Sequence, residues 1–378
     1  MDLRHHARID EIPAATWDAL AGNDQPFLRH AWLAALEAAE CVGGRSGWQP
    51  AHAALWDGER LLAAMPLYLK QHSMGEYVFD WSWAEAYERN GLTYYPKWLA
   101  AIPFTPVPGQ RVLGVDADAR RTLLLGVLES ARHSGLSSFH MLFSQDDESA
   151  WAADAGCMTR HAVQFHWQNR GYTDFDTFLA ALDRDKRKKI RQERRYVREA
   201  GVTLRVLEGS EILPHHWRFF TRCYEHTYAL HRSAPYLNLD FFQQLGNTMP
   251  QHCVLLLASQ NGEDIAASLL MRDATTLYGR YWGTLREVSC LHFEACYYAP
   301  IEYAINKGLA RFEGGAQGEH KLARGLEPVA TRSLHWIADP QFKEAIARFL
   351  AREAHGMAHY IDELEARNPV RDPLPIRD

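Results

Sequence analysis

The chain has 378 residues, 47% of them hydrophobic and 23% charged, and carries a net charge of −6. That composition fits a soluble globular protein with room for two domains, or for one domain and a substantial appendage. The overall acidity excludes a surface that attracts nucleic acid everywhere, so any polyanion site has to be a local basic patch.

The N-terminus, MDLRHHARIDEIPAATW, has no continuous apolar run. Neither a cleaved secretion signal nor an integral membrane segment is therefore expected, and a cytoplasmic location is. The cysteines at 41, 157, 223, 253, 290 and 296 show no CxxC spacing. They predict scattered buried thiols rather than a disulfide frame. Histidine pairs such as His5/His6 and His215/His216 lack the i, i+4 spacing that puts two imidazoles on one helix face, so no metal is expected. Nothing in the sequence sets an oligomeric state.

From about Pro13 to Glu40, short helical patterns flank a turn at GNDQP and place Phe27, Trp32, Leu33 and Leu36 inward. AHAALWDGERLLAAMPLYLK holds two β-rich runs joined at Asp57-Gly58, which predicts a tight hairpin. The aromatic and Pro-rich stretch 77–109 breaks the periodicity; it is either a tightly packed connection or the wall of a ligand cleft. RRTLLLGVLESARHSGL then puts Leu124, Leu128 and Ala131 at helical spacing, with Gly135 as its stop and SSFHMLF as the next strand.

The second half repeats this plan. HCVLLLASQNGEDIAASLLMRD reads as strand, Asn261-Gly262 turn and strand. The helix ACYYAPIEYAINKGL again stops at a glycine, Gly308, before the strand RFEGG. DGERLLAA and NGEDIAAS share a local signature after their turns, so a tandem duplication of one α/β unit is expected.

Between the halves, Phe175, Phe178, Leu179 and Leu182 begin a helical apolar stripe that Ile190 and Val197 continue, up to Ala200-Gly201 and the strand VTLRVL. At roughly 100° per residue, Arg184, Arg187, Lys188, Arg191, Arg195 and Arg198 share one face. This basic ridge is either a solvated face eased by Glu193 and Glu199, or a platform for the phosphates of a nucleotide-bearing donor or of RNA. A C-terminal helix follows in PQFKEAIARFLAREAHGMAHYIDELEARN, with Phe342, Ile346, Phe349 and Leu350 on one face, and a loose end is expected beyond Pro369.

Several long strings carry a family resemblance. DWSWAEAYERNGLTYYPKW, PFTPVPGQR, LYGRYWG, LHFEACYY and EGGAQGEHKLARGLEP resemble the FemAB-like family of bacterial N-acyltransferases. RDKRKKIRQERRYVREAGV and INKGLARFEGGAQGEHKLARG are similar to the related Fem-type peptidyltransferases. The resemblance spans about Trp48 to Trp336. It implies an α/β (mixed α+β) fold of two tandem GNAT-like domains with a C-terminal helix: 1–165, with the aromatic insertion 77–109, and 166–378, with the basic helix 184–200 and a site segment 277–336. It also implies transfer of an acyl or aminoacyl group to an amine. The donor is aminoacyl-tRNA in Fem-type enzymes and acyl-CoA in ordinary GNAT enzymes; the acceptor in the former is a lipid- or nucleotide-linked wall peptide. This sequence departs from the GNAT pattern where a Gly-rich diphosphate loop should open a helix. TLREVSCLHFEACYY has no glycine and sets Glu294 near the helix start, where a carboxylate is expected to cap the free N–H groups and repel a diphosphate. VLGVDADARRTLLLG likewise places acids there in the first half. The long coiled-coil arm of some Fem proteins is also missing, which removes one reason to expect tRNA.

Amine acylation needs a proton acceptor, donors to an oxyanion and close positioning. The candidate catalytic residues are Glu313, at a strand end before Gly314-Gly315, with His320, Glu294 and His292. The candidate substrate-binding residues are Lys321 and Arg324 in the Gly-rich segment, Arg280, Tyr281 and Trp282 on the strand YGRYWG, Arg232 before a Pro-containing turn, and Arg187 and Arg191 on the ridge. Tyr297 and Tyr298 either protonate a leaving group or pack a helix. Two functions of different class follow: an N-acyl- or aminoacyltransferase acting on a cell-envelope precursor or other small amine, or a non-catalytic protein that binds a nucleotide-linked or RNA ligand. A third, partner binding through the aromatic stretch from Tyr77 to Phe104, requires a large exposed apolar area there.

Overall fold

A computed structural model of the chain describes residues 1–22, 25–316 and 318–370. The expected turn at GNDQP therefore lies partly, and the C-terminal loose end almost wholly, outside the described residues. The protein is a mixed α/β structure of two compact units.

Unit 1 comprises Met1–Ala162 and Ala330–Tyr360. It opens with β1 (Asp2–His6), a strand for which the sequence offered no periodic signal, and then α1 (Ala14–Ala21) and α2 (His30–Ala38). Phe27, Trp32, Leu33 and Leu36 point inward as expected. Next come β2 (Trp48–Pro50), β3 (His52–Asp57), β4 (Arg60–Met65) and β5 (Leu67–Lys70). β3 and β4 form the hairpin, with Gly58 at φ +59. α3 (Trp81–Arg89) and β6 (Lys97–Ala100) lie inside the aromatic stretch. That stretch thus contains regular elements after all: Trp83, Tyr87, Tyr94 and Phe104 are buried, while Phe79 and Trp81 remain about half exposed. β7 (Leu113–Gly114), α4 (Ala117–His133), β8 (Ser138–Leu142) and α5 (Asp146–Asp154) complete the first half.

The strands of unit 1 form two arrays, β1-β3-β4-β7 and β2-β5-β6-β8. β6 and β8 are parallel, so the chain between them must cross over, and α4 does so. Leu123, Leu124, Val127 and Leu128 of α4 are fully buried. Each contributes roughly 1.5–3 kcal/mol of burial free energy as an upper bound.

The next strand, β9 (Met158–Gln168), carries the chain into unit 2, which comprises Val163–Val329 and Ile361–Asp378. The apolar stripe expected as one helix is two, α6 (Phe175–Ala180) and α7 (Arg184–Glu199). Leu182 between them is drawn into a bridge with Val370, and the Asp183 amide donates to Pro369 O at 2.9 Å. α7 stops before Gly201, which adopts φ +71. β10 (Val202–Glu208), α8 (Pro214–Leu230), α9 (Leu239–Thr248), β11 (Cys253–Gln260), β12 (Glu263–Arg272) and β13 (Thr276–Thr284) follow. Asn261 at φ +53 and Gly262 at φ +81 make the β11–β12 turn, the geometry a two-residue hairpin requires. A helix then runs from α10 (Leu291–Phe293) through a π-helical turn (Glu294–Tyr298) into α11 (Ala299–Asn306), and leads to β14 (Arg311–Glu313), β15 (Glu327–Ile337) and α12 (Pro340–Ala366).

Unit 2 repeats the order of unit 1: an antiparallel run β10-β11-β12, then a parallel pair, β13 and β14, joined by a crossover helix. Each unit also takes one strand from the other half of the sequence. In unit 2, His166, Trp167 and Gln168 of β9 pair with Glu313, Phe312 and Arg311 of β14. In unit 1, Ser333 to Ile337 of β15 pair with Leu142 to Ser138 of β8. The expected contiguous second domain, 166–378, is therefore divided: residues 330–360 belong with the first unit because β15 hydrogen-bonds to β8.

Gly283 of β13 lies so close to α8 that an added Cβ would sit 2.0 Å from Cys223 O. Gly283→Ala is expected to cost about 3 kcal/mol or more, because backbone rather than a side-chain tip must yield. Thermal or denaturant unfolding of the variant, showing a lowered midpoint, checks this.

Candidate functional site

The site begins where two strands part. β14 pairs with β13 over only three residues, 276–278 with 311–313, while β13 continues to Thr284. A register shift against β12 sets Leu269 opposite Tyr281 and Leu270 opposite Gly279, so Arg280 is the extra residue of a β-bulge at the point of divergence. Arg280 is half-buried, with its guanidinium 5.1 Å from the centre of the Tyr281 ring. Trp282, farther along, makes an edge contact with His292.

Glu313 ends β14 and is 4% exposed. Its Oε1 lies 3.3 Å from Arg311 Nε and its Oε2 lies 4.0 Å from His166 Nε2. Burial, aided by the nearby Arg311 and Lys321 charges, pulls His166 down to about 3, so this imidazole is neutral. After Glu313 the chain turns at Gly314-Gly315. A Cβ on Gly314 would meet Leu326 at 2.7 Å, and a carbon on Gly315 would lie 3.9 Å from both Gly279 O and Lys321 Nζ. The two glycines thus bring the Lys321 ammonium to the mouth of the gap. Lys321 is 2% exposed and donates to Gly315 O at 2.8 Å. Among the described residues no carboxylate lies within 4.0 Å of it. Burial accordingly lowers it to about 8.

His320 is exposed and shares a 2.9 Å hydrogen bond with the hydroxyl of the buried Tyr297. His292 makes ring contacts with both, and burial holds it near 4. His320 also lines a cavity of about 430 Å³ with Lys186 and Arg367. Arg324 is buried and spent on the protein itself: it pairs with both oxygens of Glu193 at 3.1 Å, donates to His320 O at 2.7 Å, and lies 3.4 Å over the Phe293 ring.

Glu294 differs from expectation. Its carboxylate caps no helix N–H; both oxygens turn to Arg194 of α7 at 2.9–3.1 Å. The π-helical turn begins at this residue, and Arg194 also holds Glu302 at 2.7 Å. The expected repulsion of a diphosphate by Glu294 is therefore offset by an arginine. Glu193 also differs. It does not ease the solvent face of the ridge; it is buried, with Tyr298 donating to its Oε2. The signal was present in the spacing, since Glu193 falls on the same side as Ile190 and Val197. His166 and Arg311 had no such signal, because β9 reaches β14 only in three dimensions.

All six ridge residues line one groove of about 990 Å³, floored by Phe175 and Leu179. The acids along it are Asp176, 3.1 Å from Arg191, and Glu302. Arg187 and Arg191 thus share a surface concavity, whereas Arg232 stands exposed in the turn after α8 at φ +53 and belongs to neither cluster.

The Glu193–Arg324 pair is below 10% exposed on both sides. Removing one partner strands a buried charge, so Arg324→Met should lower stability by about 3 kcal/mol, and adding Glu193→Leu to it should restore part of the loss. Urea unfolding of the two single variants and the double variant checks this.

Among the described residues no helix is long and apolar enough to cross a membrane, and no group of three or more His, Cys, Asp or Glu could hold a metal ion. No curated protein matches the sequence. Among solved structures, FemX is similar over 92% of this chain and 100% of its own, with TM-score 0.54 and 12% identity. L-PGS from Bacillus licheniformis is similar over 93% and 99%, with TM-score 0.54 and 11% identity. A conserved protein of unknown function from Bacteroides thetaiotaomicron is similar over 89% and 100%, with TM-score 0.50 and 11% identity. At these identities the likeness is one of fold, and it agrees with the tandem GNAT-like architecture and C-terminal helix expected from the sequence. Residues 8–372 match the FemAB-like family, described as peptidoglycan biosynthesis/recognition. The chain belongs to the FemAB-like family.

Proposed function

We propose that the protein transfers an acyl group, an aminoacyl group foremost, from an activated donor to an amine of a cell-envelope precursor. The observation that carries this is the Lys321 ammonium, buried with a single hydrogen bond, at the gap where β13 leaves β14, the strand that ends in Glu313. A desolvated cation with donors to spare suits an oxyanion that develops during reaction. The acceptor amine attacks the donor carbonyl, and a C–N bond forms as the carbonyl oxygen becomes an oxyanion facing Lys321. Glu313 takes the proton released from the amine and returns it to the leaving oxygen or sulfur as the donor bond breaks. His320 and Tyr297 line the approach, with His320 held by Arg324 from behind. The groove under Arg187 and Arg191 takes the phosphates of the donor, whether acyl-CoA or aminoacyl-tRNA, and its volume is within the range of nucleotide-sized pockets.

A thermal-shift screen against acyl-CoAs, aminoacyl-tRNA and nucleotide-linked wall precursors identifies the substrates, and turnover follows with the pair that stabilises. Glu313→Gln and Lys321→Ala should each lower kcat by about a hundredfold or more; unchanged turnover in both refutes this site. The protonated form of Lys321 is the donor, so kcat/KM should fall as pH rises through about 8. Lys321→Arg should retain activity and lose that alkaline limb. Arg187→Ala/Arg191→Ala should raise the donor KM about tenfold with little change in kcat, and flatten its salt dependence.

A further inference from the structure

Unit 1 holds a second concentration of charge, which the reaction above does not use. The register of β5 against β6 sets Lys70 directly opposite Lys97, and both side chains are fully buried. Two ammonium groups facing each other across adjacent strands repel, and buried charge persists only where something answers it. The chain's own connection from β5 to α3, residues 71–80, supplies the answer. Lys97 Nζ donates to Ser73 Oγ at 2.8 Å, Glu76 Oε2 at 2.9 Å and Asp80 Oδ2 at 2.5 Å.

The answer is incomplete. Lys70 Nζ lies 3.9 Å from the centre of the Trp48 ring and donates one 3.3 Å bond, to Met74 O. Glu76 Oε1 and Asp80 Oδ1 are buried without a hydrogen-bond partner. Burial accordingly draws Lys70 down to about 7 and pushes Glu76 up to about 7. The segment is also inverted in polarity: its carboxylates point in, while Met74 and Phe79 stand about half exposed. Each feature is a cost of holding the connection down.

We propose that Lys70 and Lys97 form a binding site for a multiply charged oxyanion, a phosphate or diphosphate group, and that residues 71–80 occupy it in this structure with the Glu76 and Asp80 carboxylates as internal stand-ins. An incoming phosphate offers acceptors to both lysines at once, which the two carboxylates do not. Displaced, Glu76 and Asp80 regain water for the oxygens that lack partners. Trp48, packed edge-on against Tyr68 and Phe104, gives the vacated site an aromatic wall. Within the segment Tyr77 is held at φ +62, a conformation that costs a residue with a side chain and adds to the cost of keeping the connection down.

The test uses the full chain with Arg187→Ala/Arg191→Ala in place, so that the groove of unit 2 does not compete for the probe. Inorganic pyrophosphate is titrated while amide exchange is followed by mass spectrometry. Exchange in 71–80 should quicken about tenfold, and Glu76→Gln/Asp80→Asn should bind pyrophosphate about tenfold more tightly. Lys70→Met gives up one long hydrogen bond and the cation's contact with the Trp48 ring, should fold, and should abolish the response of the segment. The proposal is overturned if pyrophosphate leaves exchange in 71–80 unchanged, if sodium chloride at matched ionic strength opens it equally, or if Lys70→Met responds like the parent.

Discussion

A helix as basic as α7 has no reason to lie against a protein on apolar grounds alone. Ile190 and Val197 are its fully buried apolar residues, and two such side chains do not outweigh the solvation of so many arginines and lysines. Ion pairs fix its rotation: the buried pair of Glu193 with Arg324, and Arg194 with the buried Glu294 and the more exposed Glu302, with Arg194 4.4 Å from the Phe175 ring. A pair of this kind adds little net stability when intact but is costly to break, so it selects one orientation over its neighbours. The same contacts continue into the candidate site. Glu193 holds Arg324, Arg324 holds the His320 carbonyl, and His320 meets Tyr297, so the outward ridge and the inward site share one mechanical base.

The two units use one plan to different chemical ends. In unit 1 the crossover helix α4 is capped by Asp116, whose carboxylate accepts from Ala119 N at 2.8 Å, so its positive end is already occupied by an acid. In unit 2 the equivalent helix opens after Cys290 in left-handed backbone with no side-chain cap, and the nearby Glu294 is turned away to Arg194. Unit 1 instead gathers its charge around Lys70 and Lys97 on β5 and β6, whereas unit 2 has the bulge at Arg280 on β13.

What the sequence made legible was local. Asp57-Gly58 and Asn261-Gly262 mark their hairpins because positive φ demands such residues, and Gly135, Gly201 and Gly308 each follow the end of a helix for the same reason. The ridge of α7 was legible as a period, and the repeated turns exposed the duplication. The inward role of Glu193 was readable in principle from its position between Ile190 and Val197, but a charged residue among arginines is naturally assigned to solvent. Long-range facts left no local trace. Lys321 is drawn into the gap by a glycine turn whose neighbour, Gly279, lies on another strand, and Glu313 meets His166 only because β9 pairs with β14. The buried lysines were missed for a related reason: Lys70 and Lys97 are opposed by register, and each alone reads as an ordinary strand-end charge.

The exchange of β9 and β15 bears on the order in which the protein can be made. During synthesis from the N-terminus, β8 emerges with one edge open, and the strand that covers it, β15, follows nearly two hundred residues later. The first unit therefore cannot close before most of the second has been translated. The domain-by-domain folding that serves many two-domain proteins is denied to this one, and the nascent first half must keep an unpaired strand edge from other chains until its own distant segment arrives.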